Sequence, residues 1–262
     1  MNIRDIATGR LMAWPLLLLG TITGALSGLL GIGGGVVMVP ALVAMGETRH
    51  RANANSLAAI FMVALAGAIG FAVSGAIDVP VAIALGTGGL VGATLGATWA
   101  HRMSGETLAR LFGILLLVIG LRMLFGGAAD GGTAQVALPW SLVIAVVVGV
   151  ATGILSGLAG VGGGIVMVPA MVFLLGMTQH VAEGTSLLAI LFTAAAGTRV
   201  NLSNRYVDWR LVLTLAATGV VIAPLAAVIA QEIPAEVLAR LFAIWLLIVG
   251  VRTLWTSRTK PI

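Results

Sequence analysis

Uninterrupted apolar segments constrain the fold of this chain more than any other feature of its sequence. Several of them approach 20 residues, the length at which a helix crosses the hydrocarbon core of a bilayer. Of the 262 residues, 60% are hydrophobic and 9% are charged, whereas a soluble domain carries about 25% charged residues. The chain is therefore predicted to be an all-α polytopic membrane protein.

The charged residues are sparse and lie between the apolar segments, although the net charge is +5. This distribution is typical of a membrane-orientation signal, so we expect no nucleic-acid partner. The sequence has no cysteine, which excludes disulfides and thiolate metal sites. It also lacks a His/Glu ligand cluster and a Ser/His/Asp arrangement. We therefore expect no metal, no cofactor and no enzymatic activity.

The two halves of the chain are copies of each other. The segments 23–40 and 152–169 read TGALSGLLGIGGGVVMVP and TGILSGLAGVGGGIVMVP and are identical at 14 of 18 positions. Further matches follow at an offset of 130 residues, such as SLAAI at 56 and SLLAI at 186. We divide the chain into an N-terminal transmembrane repeat at 1–132 and a C-terminal transmembrane repeat at 133–262, which together form one integrated domain.

Each repeat contains five apolar segments, and the second of them has only about a dozen residues. At about 1.5 Å per residue, such a segment crosses about half of the bilayer core. We therefore expect a re-entrant helical hairpin, broken at the glycines, followed by three transmembrane helices. The predicted segments are 12–30, 35–46, 53–74, 79–101 and 106–126, and then 139–159, 164–176, 183–203, 209–231 and 236–256.

Lysine and arginine predict how the repeats are oriented. With a cytoplasmic N-terminus, nearly all of these residues face the cytoplasm, as the positive-inside bias requires, and Arg122 and Arg240 are the exceptions. Each repeat then crosses the membrane an odd number of times, so the two repeats have inverted topology. A single crossing for each broken pair would give parallel repeats, but it would place 47–51 outside. The predicted location is the bacterial inner membrane, with both termini cytoplasmic.

The glycine triplets predict a ligand site. Non-helical backbone at membrane depth is tolerated only beside protein or water, and the short helix after each triplet starts with free N–H groups and a positive dipole end. Small residues also pack membrane helices, but the repetition, the preceding serines and the terminating prolines favour a discontinuous helix. The predicted anion site comprises Ser27, Gly33, Gly34, Gly35, Ser156, Gly162, Gly163 and Gly164, while Gly31, Pro40, Gly160 and Pro169 shape the hairpins.

The third segment of each repeat begins with polar residues, and these residues have two possible interpretations. They either cap the helix or line a substrate cavity beside the glycine tips; they are Asn53, Asn55, Ser56, Glu183, Thr185 and Ser186. In the second case Glu183 is the candidate for proton coupling, because it is the acid closest to the apolar core. Arg199 either extends to the interface or attracts an anionic substrate. Asp78 and Asp208 are expected to cap the helices that follow them.

The doubled motif G-[IV]-G-G-G-x-V-M-V-P, with one copy in each half, resembles the TauE/SafE sulfite-exporter family of membrane permeases. The resemblance covers essentially the whole chain, from Gly31–Pro40 in the first repeat to Gly160–Pro169 in the second. It implies export of sulfite, sulfoacetate or other organosulfonates from bacterial cells. It also implies two four-span repeats. This number agrees with five segments per repeat only if each hairpin counts as one span or if its short arm is not counted.

We therefore expect a secondary transporter for a small sulfur-containing anion, working by alternating access with the anion bound at the repeat interface. A passive anion channel and a structural or signalling membrane protein are the alternatives. The expected partners are the anionic substrate and the lipid bilayer, and a homodimer is left open.

Overall fold

The computed structural model describes residues 14–100, 105–125, 137, 139–159, 163–203 and 205–258. These residues form ten helices, with no strand among them. The helices are α1 (Trp14–Leu30), α2 (Gly35–Ala44), α3 (Arg49–Val73), α4 (Val79–Ala100), α5 (Gly105–Phe125), α6 (Trp140–Ala159), α7 (Gly164–Leu175), α8 (Gln179–Ser203), α9 (Trp209–Glu232) and α10 (Ala235–Arg258). Within this part of the chain, α3, α4, α8, α9 and α10 are long and apolar enough to cross a membrane. The prediction of an all-α polytopic membrane protein is confirmed.

The third helix of each repeat begins earlier than its apolar segment predicted. The helix α3 starts at Arg49 and α8 at Gln179, four residues before the predicted starts, because the first turn of each is polar. Asn53 and Glu183 consequently lie in the second turn of their helices. The N-cap position of α3 belongs to Thr48. The capping interpretation of the polar residues in α3 and α8 is therefore wrong.

A glycine-rich break separates α1 from α2. In this break Gly31, Gly33 and Gly34 have positive φ angles of 66°, 73° and 76°, a region that costs other residues about 1–2 kcal/mol. A Cβ added to Gly34 would lie 2.8 Å from the Cβ of Thr23, which lies two turns before the break. The chain therefore reverses direction at the glycines.

After the reversal, α2 runs back beside α1 and forms a helical hairpin with it. Met38 and Leu42 of α2 share a buried cluster with Leu16 and Leu19 of α1. The second repeat follows the same course, since a Cβ added to Gly163 would lie 3.6 Å from the carbonyl oxygen of Thr152, which, like Thr23 relative to Gly34, lies eleven residues back.

The two prolines of the repeated motif lie inside the short helices. The helix α2 continues past Pro40 to Ala44, and α7 continues past Pro169 to Leu175. Each proline removes one N–H from the helical ladder. In apolar surroundings, however, the remaining backbone groups stay paired only if the helix continues. The predicted segments 35–46 and 164–176 likewise extend past the two prolines, which end the repeated motif but not the helices.

The two repeats interleave instead of forming separate bodies. The helix α1 packs along α9, and α4 packs along α6. A Cβ added to Gly24 would lie 2.8 Å from the Cα of Gly219, and one added to Gly92 would overlap the carbonyl oxygen of Val150. The helix backbones are therefore in direct contact, as small residues permit in membrane proteins.

Contacts between matching helices give their relative directions. Gly67 of α3 faces Leu187 of α8, while Leu57, earlier in α3, faces Gly197, later in α8. The helices α3 and α8 therefore run antiparallel. The pair α5 and α10 behaves in the same way, because Gly113 faces Leu254 and Gly120 faces Leu247.

Candidate functional site

The tips of the two hairpins lie against each other inside the protein. A Cβ added to Gly164 would lie 3.2 Å from the carbonyl oxygen of Gly31 and 3.2 Å from the Cα of Ile32. Ile190 of α8 contacts both tips, at the positions of Gly33 and Gly164. Ile32 is completely buried. Gly160 and Gly162, which were predicted to belong to the second tip, lie outside the described residues.

Both short helices start at this meeting point. Their N-cap residues, Gly34 and Gly163, have φ angles of 76° and 79° and supply no capping side chain. The first N–H groups of a helix have no partner within that helix, and Gly35 and Gly164 are the first residues of α2 and α7. Two positive helix ends are thus brought together inside the protein, an arrangement that favours anions.

Three serines each lie one helical turn before a residue that forms or contacts a tip: Ser27 before Gly31, Ser56 before Ile60 and Ser186 before Ile190. Ser27 and Ser56 have no exposed surface, and neither do the hydroxyl-bearing neighbours on α8, Thr185 and Ser186. Ser56 lies one turn before Ile60, whose side chain is 3.1 Å from the Cβ position of Gly33. Within the described part of the chain, the Oγ atoms of Ser27, Ser56 and Ser186 have no hydrogen-bond partner. Because each unpaired buried polar group costs about 1–3 kcal/mol, this cluster is a suitable place for a polar ligand or water.

Glu183 lies directly at the first hairpin tip. Its Cα is 2.6 Å from the Cβ position of Gly31, so only glycine fits there. Gln179 donates a 2.7 Å hydrogen bond from Nε2 to Oε1 of Glu183, whereas Oε2 has no partner among the residues described. The matching residue of the first repeat is Asn53, whose Oδ1 is also buried and unpaired. The two sides of the site therefore differ in chemistry.

Sequence reasoning missed Gln179, although a signal for it was available. It lies four residues before Glu183, and residues four apart share a helix face. Gln179 lies outside the apolar segment, which begins at 183, so hydropathy alone does not indicate that it belongs to α8.

Two residues predicted to line the cavity each bond to the backbone of the opposite repeat. The Oδ1 of Asn55 accepts a 2.7 Å hydrogen bond from the N–H of Asp208, and the Oγ1 of Thr185 accepts a 2.9 Å bond from the N–H of Asp78. The side chains of Asp78 and Asp208 in turn accept from the N–H groups of Val81 and Arg210. The predicted capping role of the two aspartates is confirmed.

Arg199 lies away from the tips. It is exposed and lines a groove of about 600 Å³ between α3, α8 and α9. Nine residues separate it from Ile190, which corresponds to about 14 Å along α8. The structure therefore does not bring Arg199 to the serine cluster. Ser156, in contrast, is buried at the second tip beside Gly163.

These features, ten apolar helices in the described part of the chain with two broken hairpins meeting in the interior, are those of a multi-pass membrane transporter of the permease type. The sulfite exporter TauE/SafE family matches residues 3–123 and 144–262. The chain belongs to this family, and the predicted family assignment is confirmed.

Curated relatives of the chain carry names that agree with this class. A "Probable membrane transporter protein" of Xylella fastidiosa strain 9a5c is 31% identical over 244 residues, covering 91% of this chain and 93% of the relative. "Probable membrane transporter protein YunE" of Bacillus subtilis is 24% identical over 263 residues, covering 92% and 96%. A "Probable membrane transporter protein" of Haemophilus influenzae is 26% identical over 260 residues, covering 90% and 95%. No solved structure is significantly similar to the chain.

Proposed function

We propose that the chain is a secondary transporter that exports a small sulfur-containing anion, such as sulfite, sulfoacetate or another organosulfonate, across the bacterial inner membrane. The observation that carries this proposal is the meeting of two glycine-capped helix starts, at Gly34 and Gly163, inside an apolar protein. The family's description as sulfite exporters supports the substrate class and the direction.

The chemistry of the cluster suits a sulfonate or sulfite group. Such a group presents several oxygen acceptors, and helix N–H groups and the unpaired hydroxyls of Ser27, Ser56 and Ser186 are donors. The fully buried residues named at the tips include no arginine or lysine. Because neutral donors bind an anion without the strength of a charge-assisted pair, they also allow it to leave, as a transport cycle requires.

The proposed cycle is alternating access between two repeats of inverted topology. The antiparallel contacts of α3 with α8 and of α5 with α10 support this orientation. The positive-inside bias supports cytoplasmic termini. In transporters of this architecture the substrate binds near the midplane, where broken helices of the two repeats meet, and the contact between Gly164 and Gly31 is of that kind.

Glu183 is proposed to carry the coupling proton. Its buried carboxyl group lies at the tip where the anion would bind, and one of its oxygens has no partner among the described residues. A carboxylate there repels an anion, whereas the protonated acid does not. Binding of the anion and of the proton would therefore favour each other at this site.

Flux measurements in proteoliposomes test the proposal. We expect saturable, gradient-driven transport of labelled sulfite or sulfoacetate by the wild type. We expect Gly34→Leu to abolish it, because its side chain would overlap Thr23. Gly75→Leu is the matched control, since Gly75 also has a positive φ of 69° but no atom of the described residues within 4 Å of its Cβ position. Unsaturable conductance without coupling would instead identify a channel, and equal loss in both variants would contradict the proposed site.

A further inference from the structure

A groove between α3, α8 and α9 is separate from the glycine tips. Its wall is apolar and includes Phe61, Leu65 and Ile69 of α3 and Val220 of α9. Three of these side chains, Leu65, Ile69 and Val220, are themselves exposed. The groove therefore opens on the outer surface of the helix bundle, where a membrane protein meets lipid.

The length of the groove matches one leaflet of a bilayer. Its lining along α3 runs from Ala58 to Ile69, which corresponds to about 16 Å at the rise of an α-helix. Half of a typical hydrocarbon core is about 15 Å. An acyl chain lying in the groove would therefore extend from the membrane interface to the midplane.

Polar and charged groups are confined to one end of the groove. Arg199 and Trp209 line it there, and Arg205 and Arg210 follow in the turn and first residues of α9. All three arginines are exposed. The one acid in this turn, Asp208, directs Oδ1 to the N–H groups of Arg210 and Leu211. The end of the groove is thus basic, and a tryptophan marks the interface level.

We propose that this groove binds an anionic phospholipid, with one acyl chain along α3 and the phosphate at Arg199. Basic pockets between transmembrane helices on the cytoplasmic side bind acidic lipid headgroups. The Oγ1 of Thr198 is buried beside Arg199 without a partner in the described part of the chain. It is a second donor for the headgroup.

Native mass spectrometry in a neutral detergent tests the proposal, using phosphatidylglycerol and phosphatidylethanolamine with identical acyl chains. We expect the wild type to bind phosphatidylglycerol about fivefold more tightly, the effect of one basic residue near a headgroup. Arg199→Gln should remove this preference. Arg240→Gln is the control, because Arg240 is an exposed arginine outside the groove, paired with Glu236 at 3.8 Å; it should leave the preference unchanged.

A second variant tests the acyl-chain part of the groove. Ala195 is exposed and lines the groove, so the larger side chain of Ala195→Phe should fill the groove without disturbing the core. The binding affinities of the two lipids should then fall equally. Equal binding of the two lipids to the wild type would overturn the proposal. So would an unchanged preference in Arg199→Gln, unchanged binding in Ala195→Phe, or displacement of the lipid by an organosulfonate, which would assign the groove to the transport path.

Discussion

The side-chain oxygen of Asn55 accepts a 2.7 Å hydrogen bond from the backbone N–H of Asp208, 153 residues further along the chain. The matching residues of the other repeat, Thr185 and Asp78, form the reciprocal bond at 2.9 Å. In each repeat, a side chain of the third helix thus accepts a hydrogen bond from the residue that precedes the fourth helix of the other repeat. The helices that form these bonds, α3 and α8, also contact the glycine tips through Ile60 and Ile190, so a movement of one repeat must involve the other.

Removing one of these reciprocal bonds should destabilise the protein. Thr185→Val keeps the shape of the side chain but leaves the N–H of Asp78 without its acceptor. We expect a loss of about 1–3 kcal/mol in the free energy of unfolding, measured by denaturant titration in detergent. Thr94→Val is the control, because its hydroxyl is exposed and bonds only to Val91 within its own helix. An equal loss in both variants would contradict the inter-repeat role.

The serine hydroxyls at the tips should behave in the opposite way. Ser27→Ala and Ser56→Ala each remove a buried polar atom that has no partner within the described chain, so stability should stay the same or rise by up to about 1 kcal/mol. The KM for the transported anion should rise, because each hydroxyl is a proposed donor to it. Thermal unfolding and flux assays on the same preparations separate the two effects. A loss of stability without a change in KM would assign the hydroxyls a structural role.

Alanine should be tolerated better at the second glycine tip than at the first. At Gly34 a Cβ would lie 2.9 Å from the backbone oxygen of Thr23, whereas at Gly163 the nearest atom is the flexible Cε of Met167 at 3.3 Å. Both glycines have positive φ angles, so each variant carries a similar backbone strain of about 1–2 kcal/mol. Gly34→Ala should therefore unfold at a lower denaturant concentration than Gly163→Ala, and the reverse order would contradict the tip geometry.

Replacing the buried carboxyl group should uncouple transport from the proton gradient. Glu183→Gln preserves the size of the side chain and leaves its neighbour Gln179 in place, but the glutamine cannot release a proton. We expect anion exchange between the two sides of a proteoliposome to continue while acceleration by an imposed pH gradient is lost. Glu236→Gln is the control, because Glu236 is exposed at the start of α10. Retention of the gradient effect in Glu183→Gln would exclude this residue as the coupling group.

The contact of α1 with α9 should be sensitive to a single methyl group. Gly24→Ala places a Cβ 2.8 Å from the backbone of Gly219, whereas the nearest atom to a Cβ at Gly67 is the end of the flexible Leu187 side chain, at 3.0 Å. A Cβ at Gly67 also lies 3.6 Å from the Cβ of Ala223, which is an ordinary contact distance. We expect Gly24→Ala to cost about 1–3 kcal/mol in the free energy of unfolding, as overpacking does, and Gly67→Ala to cost less. Denaturant titration of both variants measures the difference, and equal stability would contradict the backbone contact.

Local patterns in the sequence were sufficient to predict the positions of the helices and of the breaks between them. Apolar runs placed most helix ends within two residues, and the glycine triplet marked the break before α2, because backbone with positive φ requires glycine. Asp208 was recognisable as a cap because the N–H groups that donate to its carboxylate lie only two and three residues further along the chain. The duplication also showed which residues match each other across the two repeats.

Only the tertiary structure decided what those residues contact. Asn55 and Thr185 looked like cavity or capping residues, yet each bonds to the opposite repeat. Arg199, which was grouped with the anion site, lines a separate groove. Hydropathy and capping patterns depend on neighbours within a turn or two of the chain, so they determine local structure. A contact between residues more than a hundred positions apart depends on which helix faces pack together, and in this protein that is decided by the close approach of glycine-bearing helices from both repeats.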